Sequence, residues 1–281
     1  MITALSVKIP ENSEGIKKIA NKLRRDKVEI KINRARGVAL KHITYTSFSG
    51  EVRLDRADRI IGEQRSQLLC SDKLIFPHRS GYRRFESQSF SSRLCANMAL
   101  AVLKEFGQSA DLRLGIYDPR AVAADFLLKS LEYCSNPIAV SYNHEPYTLA
   151  RERALDELGA SVTVTKNISE LDKCDFIVAP TNISERLPVK AKTVILTVGE
   201  PSVPFGGDCY SSYCFRMPNG FDSIKPNELS EEYFCSALYT LGAQYELGSI
   251  VPLSCTGKSG SQTVKSLCKL LDNVLKKEYN N

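Results

Sequence analysis

Between Leu112 and Pro180 the chain alternates short apolar runs with stretches of helical periodicity, and this alternation limits the fold more than any other feature. LRLGIY (Leu112–Tyr117) is followed by a helical pattern from Pro119 to Cys134, then IAVSY (Ile138–Tyr142) and a second helical pattern ending at Gly159. VTVT (Val162–Thr165), a short helical turn and DFIVA (Asp175–Ala179) complete it. Short strands separated by helices need crossover connections, so the pattern predicts parallel βαβ units. TVILTV (Thr193–Val198) reads as a fifth strand and Tyr213–Met217 as a sixth, with the turn-rich GEPSVPFGGD (Gly199–Asp208) between them. Open sheets of this kind bind ligands outside the carboxyl ends of the strands, where the strand order reverses. In the order 3-2-1-4-5-6 that point lies between Leu112–Tyr117 and Asp175–Ala179. The loops meeting there are YDPRA (Tyr117–Ala121) and APTNI (Ala179–Ile183), with VGEPS (Val198–Ser202) beside them.

The flanking segments have other periods. Leu5, Val7 and Ile9 alternate, which predicts a half-buried strand. Asn12 or Ser13 then caps a helix whose Ile16, Ile19, Ala20 and Leu23 form one stripe, opposite a face carrying Lys17, Lys18, Lys22, Arg24 and Arg25. Val28–Ile32 and Val38–Thr46 read as strands, and Asp55 opens a helix running to about Cys70. Leu94–Phe106 is a strongly apolar helix closed by Gly107. A long helix begins at Asn227 or Ser230 and ends near Gly248. The loop Pro252–Gln262 precedes a last helix with Val264, Leu267, Leu271, Val274 and Leu275 on one face.

The layout from LRLGIYDPRAVAADFLLKSL to DFIVAPTNI is similar to that of nucleotide-binding Rossmann domains, and looks most like the shikimate dehydrogenase and glutamyl-tRNA reductase group. The likeness spans roughly residues 112–200 and is one of element order. It implies an α/β fold in three parts. A small basic α+β domain (1–107) ends in a linking helix. A Rossmann-like doubly wound parallel sheet follows (108–227), and C-terminal helices (228–281) pack across both. It also implies NAD or NADP as a possible cofactor. The family's first turn is G-x-G-x-x-G/A, whose glycines let the backbone approach a pyrophosphate. Here the turn is Gly115-Ile116-Tyr117-Asp118-Pro119-Arg120-Ala121, in which Gly115 alone remains, inside the strand. Asp118 before Pro119 is a helix start, and its carboxylate would stand where a phosphate binds, with Arg120 as an offset. A capped helix with no ligand and a cofactor site both remain open on these residues. After the second strand, Glu145 suits an NAD ribose, while Asn143 equally suits the N-cap of the next helix. Thr181, Asn182 and Gly199 complete the candidate cofactor set. The family's catalytic lysine and aspartate have no counterpart: neither Lys41 nor Lys73 sits in a matching motif, so no catalytic residue is carried over.

Two further groups could hold an anion. Thr256-Gly257-Lys258-Ser259 matches the end of a P-loop, but Pro252 stands at the first glycine position, so Lys258 is read either as an anion ligand or as part of a plain loop. Arg79, Arg83 and Arg84, interleaved with Tyr82 and Phe85, have the composition of a surface that stacks bases and neutralises phosphates. They suit carboxylates and phosphates of small ligands equally. The first 93 residues hold 20 Lys and Arg against 10 Asp and Glu, within a chain of net charge +6, so the remainder is acidic. No RNA-binding module signature appears, which makes nucleic acid the minor expectation.

The nine cysteines form no C-x-x-C, and His42, His78 and His144 are isolated, so free thiols in a reducing cytoplasm and no metal site are expected. No apolar run approaches the roughly 18 residues of a membrane span, and the N-terminus lacks the pattern of a signal peptide. No G-x-S-x-G or other nucleophile motif supports hydrolytic catalysis. These readings converge on a Rossmann-like protein binding a small anionic metabolite in an interdomain cleft without the usual phosphate loop. The alternatives are an NAD(P)-dependent oxidoreductase related to shikimate dehydrogenase and, third, a nucleic-acid-binding accessory protein.

Overall fold

The alternating pattern becomes one eight-stranded sheet, and the sequence before it a separate four-stranded one. The computed structural model describes residues 1–10, 24–48, 50–53, 55–87, 89–107, 111–242, 250 and 252–278. The helix expected after Asn12 and the end expected near Gly248 lie outside these residues. The chain divides into two units, Met1–Ser87 with Met217–Gln244, and Gln88–Arg216 with Tyr245–Asn281.

In the first unit β1 (Ile2–Lys8) pairs in parallel with β3 (Val38–Thr46), which also pairs antiparallel with β2 (Lys27–Ala35). Arg36 and Gly37, at φ 44° and 81°, form the two-residue turn of that hairpin, in the left-handed geometry that matches strand twist. Helix α1 (Asp55–Ile61) is much shorter than the expected run to Cys70. Gly62 takes φ 63° and ends it. A 3-10 turn (Gly62–Gln67) and the short strand β4 (Leu69–Cys70) follow, with β4 parallel to β1. Leu5, Ile43, Tyr45, Ile61, Leu68 and Tyr82 form its core. Helix α5 (Glu231–Thr240), introduced by Ser230, is also in this unit.

The second unit opens with α2 (Phe90–Phe106). Its strands are β5 (Leu114–Tyr117), β6 (Ile138–Val140), β7 (Thr163–Thr165), β8 (Phe176–Ala179), β9 (Val194–Thr197) and β10 (Asp208–Phe215). They run β7-β6-β5-β8-β9-β10, all parallel, which is the order 3-2-1-4-5-6. This order and the crossovers make the unit a Rossmann-like α/β fold. The stretch expected to be a loop, Pro252–Gln262, is a hairpin: β11 (Pro252–Gly257) pairs antiparallel with β10, and β12 (Gly260–Thr263) with β11. Small hydroxyl residues without strict alternation hid these strands.

Alternate strand residues face opposite sides of the sheet. Leu114, Ile116, Phe176, Val178, Val194 and Leu196 join a core with α2, α3 (Ala124–Ser130), α4 (His144–Leu158) and α6 (Val264–Glu278). Tyr117, Val140, Ile177, Ala179 and Ile195 face a second core closed by a 3-10 segment (Ile168–Lys173) and by Ile183, Leu187 and Phe205 from loops. Helix α5 (Glu231–Thr240), capped by the Ser230 hydroxyl, is in the first unit, and α6 packs in the second. Among the described residues no helix is long and apolar enough to cross a membrane.

Candidate functional site

The switch point between β5 and β8 is where the sheet order would place a ligand. Helix α3 starts at Ala124, not at Pro119 as the Asp-Pro pair suggests, and has only seven residues. A loop with Ala121 at φ 57° separates the two. Asp118 is fully buried and turned inward. Its Oδ2 accepts from the Ala123 N–H at 2.9 Å and from the Tyr147 hydroxyl at 3.0 Å. Oδ1 has no partner among the described residues. Burial, then the Asp118 charge, pushes the Tyr147 phenol well up, so it stays a donor. The loop is also tied to its neighbour, because the Pro119 carbonyl accepts from the N–H groups of Tyr142 and Asn143 at 3.2 Å each.

A second carboxylate crosses the same edge. Glu185, in the loop after β8, accepts from the Tyr117 hydroxyl at 2.5 Å and from the Tyr142 hydroxyl at 2.7 Å. Burial, then Glu185, raises the Tyr117 phenol; the hydrogen bond to Glu185 is the main cause for Tyr142. Both tyrosines remain protonated and bridge β5 and β6 to the β8 loop.

The other candidate cofactor residues are placed as follows. Gly115 lies mid-strand, and a Cβ there would sit 2.8 Å from Cys174 Sγ; its glycine is accounted for by packing against the 3-10 segment. Arg120 is exposed and has no partner among the described residues. Asn143 is the N-cap of α4 by position, though its side chain makes no capping bond, and Glu145 is exposed in the first turn. Thr181, Asn182 and Gly199 gather at the ends of β8 and β9. Thr197 Oγ1 donates to the Thr181 carbonyl at 3.0 Å, and Asn182 Nδ2 lies 3.8 Å from where a Gly199 Cβ would be. At the β5 turn the protein's own carboxylate accepts from the Ala123 N–H, and Glu185 joins the Tyr117 and Tyr142 hydroxyls.

A cavity of about 590 Å³ lies between the β9–β10 loop, the middle of β10 and the β11–β12 turn. Glu200, Pro201, Ser202, Val203, Pro204 and Phe205 line it from the loop. Cys209, Ser211 and Ser212 line it from β10, and Thr256, Lys258 and Ser259 from the hairpin. A register irregularity between Tyr210 and Ser212 lets successive serines reach the same space. Gly257 permits the close approach of β11, since a Cβ there would lie 1.9 Å from the Cys209 carbonyl oxygen. Ser259 donates to Asp208 at 2.8 Å and fixes the hairpin tip. The Ser202 N–H donates to the Ile183 carbonyl at 2.9 Å and fixes the loop. Burial lifts the Cys209 thiol to about 11, against the opposing pull of Lys258, so it lines the cavity as a neutral thiol.

The arginine cluster of the first unit is not a stacking surface. Tyr82 and Phe85, the expected base platforms, are each 5% exposed, and the Tyr82 hydroxyl donates to Asp58. Arg84 Nε donates to the Cys70 carbonyl at 3.0 Å, and its guanidinium stacks over the Tyr233 ring at 3.8 Å. Arg79 and Arg83 are exposed. In the same unit Ser6 Oγ lies 2.6 Å from His42 Nε2, but Glu228 approaches that same nitrogen at 3.7 Å. A catalytic triad places its carboxylate on the other ring nitrogen.

Glu185, Tyr147 and the cavity went unmarked in the sequence. The glycines and prolines of 199–207 were the one signal that this loop is shaped.

No protein-family model matches the chain, and no curated protein matches it in sequence. Among solved structures it is similar to Δ1-pyrroline-2-carboxylate reductase of Thermococcus litoralis in complex with NADH and L-proline, at 10% identity over 69% of this chain and 68% of that one, TM-score 0.30. It is similar to iminosuccinate reductase of Paracoccus denitrificans in complex with NAD+, at 14% identity over 67% and 64%, TM-score 0.30. It is also similar to ornithine carbamoyltransferase from Pyrococcus furiosus, at 9% identity over 89% and 85%, TM-score 0.34. Likenesses this distant say nothing of activity, and the Rossmann-like assignment rests on the chain's own strand order.

Proposed function

We propose that the protein is a Rossmann-like binding protein for a small anionic metabolite, held within the second unit and away from the usual dinucleotide position. The observation that carries this reading is Lys258. It stands beside a cavity of about 590 Å³ and is the only cationic side chain lining it among the described residues. The volume is within the roughly 300–1,000 Å³ of ordinary small-molecule sites. An ammonium beside hydroxyl donors is suited to a carboxylate or phosphate. The inward Asp118 and the Glu185 bridge argue against a pyrophosphate at the switch point.

A second reading is an NAD(P)-dependent oxidoreductase. It is favoured by the strand order, which brings Thr181, Asn182 and Gly199 to the carboxyl edge of the sheet. Thermal shift and calorimetric titration separate the two. Small carboxylates and phosphates are expected to stabilise the protein, and Lys258→Met to abolish that effect, while NADH and NADPH produce no shift. A ligand at about 100 times its dissociation constant stabilises by about 2.7 kcal/mol, which is readily measured. Cofactor binding that persists in Lys258→Met would replace the first reading by the second.

A further inference from the structure

Two opposite charges, both exposed, line the same cavity, and neither has a hydrogen-bond or ion-pair partner among the described residues. Glu200 is on the loop that covers the cavity and Lys258 is on the hairpin turn. Neither makes a hydrogen bond or an ion pair among the described residues, with each other or with a third group. Flexible surface charges of opposite sign that shared a space with nothing between them would gain by pairing directly. Here both are carried on anchored backbone. Pro201 and Pro204 stiffen the loop, the Ser202 N–H ties it to the Ile183 carbonyl, and Ser259 ties the turn to Asp208. The remaining wall has two characters. Ser202, Ser211, Ser212 and Thr256 supply hydroxyls that both donate and accept, whereas Val203, Pro204 and Phe205 form an apolar side.

We propose that this cavity takes a zwitterion of the α-amino-acid class with a bulky apolar side chain. The carboxylate faces Lys258 and the hydroxyls, the ammonium faces Glu200, and the side chain lies against Val203, Pro204 and Phe205. This deepens the anion-binding reading and rests on it. A simple carboxylate satisfies Lys258 and leaves Glu200 alone, whereas a zwitterion satisfies both. The acceptors needed around an ammonium, one carboxylate and neighbouring hydroxyl oxygens, are those the cavity wall offers.

The test uses the full chain and calorimetric titration with L-leucine, L-phenylalanine, 4-methylpentanoate and 3-methylbutylamine. The last two are leucine without its ammonium and without its carboxylate. Both amino acids are expected to bind, and 4-methylpentanoate to bind about tenfold or more weakly than leucine, the loss expected for one charge-assisted hydrogen bond. Glu200→Gln should bring leucine down to the level of 4-methylpentanoate and leave 4-methylpentanoate unchanged. Lys258→Met should weaken both. If 4-methylpentanoate matches leucine, or Glu200→Gln leaves leucine binding intact, the zwitterion assignment is overturned and the anion reading stands. If Lys258→Met changes neither ligand, the anion reading fails as well. Absence of amino-acid binding at millimolar concentration also overturns the assignment.

Discussion

Asp118 is the residue on which the two views of this protein divide. A carboxylate at the end of the first Rossmann strand could face a ligand or face the protein. Here it faces the protein, held by the Ala123 N–H and the Tyr147 hydroxyl. Both donors sit in a buried setting, and a buried donor that loses its acceptor costs about 1–3 kcal/mol. Asp118→Ala is therefore expected to destabilise the protein by about 3 kcal/mol, because it strands two donors at once. Tyr147→Phe removes one of the donors together with its need, and should cost less, about 1–2 kcal/mol. Urea denaturation of the two variants gives the order. An Asp118→Ala protein as stable as the parent would mean that the carboxylate is held for a ligand rather than for the fold.

The 3-10 segment Ile168–Lys173 replaces a full crossover helix, and it can lie close because β5 carries Gly115 at the point of contact. A Cβ at 115 would meet Cys174 Sγ at 2.8 Å and Leu171 Cδ2 at 3.0 Å. Overfilling a packed site of this kind costs about 1–3 kcal/mol. Gly115→Ala should show that loss in thermal or urea unfolding, and Cys174→Ala in the same chain should recover part of it by vacating the sulfur's space. A double-mutant cycle with no coupling would refute the contact. Local pattern was a good guide where an element is made by its own residues. Val38–Thr46 forms the strand expected of it, and the order of the short apolar runs becomes the order of the sheet. It misled where a distant group decides. Asp118-Pro119 has the form of a helix start, yet the carboxylate reaches on to Ala123 and the helix begins later. The Arg84 cluster has the composition of a surface, yet its aromatic residues belong to a core. Neither Glu185 nor the cavity beneath 200–205 could be read locally. Both arise only when the loops after β8 and β9 fold over strands far away in sequence.

The nine cysteines test the packing of the whole chain together, because they are distributed through both units and none is bonded to another. Seven are buried, Cys209 is partly covered, and Cys214 is exposed. Burial is the first cause of every raised thiol. Cys70, Cys134, Cys209 and Cys268 rise to about 11, and Cys95, Cys174, Cys235 and Cys255 to about 12. The thiolate is the reacting form, and a thiol titrating near 11 is about one part in a thousand ionised at pH 8. Iodoacetamide at that pH is therefore expected to add one carbamidomethyl group to the native protein, at Cys214. Nine should add after denaturation in urea without any reductant. The second count separates free thiols from disulfides, and the first separates a packed interior from a loose one. Rapid native labelling at Cys95 or Cys255 would show that the core beneath β10 and β11 opens on the timescale of the reaction. That would place the floor of the proposed binding cavity in motion, since Cys209 and Thr256 stand on the same two strands.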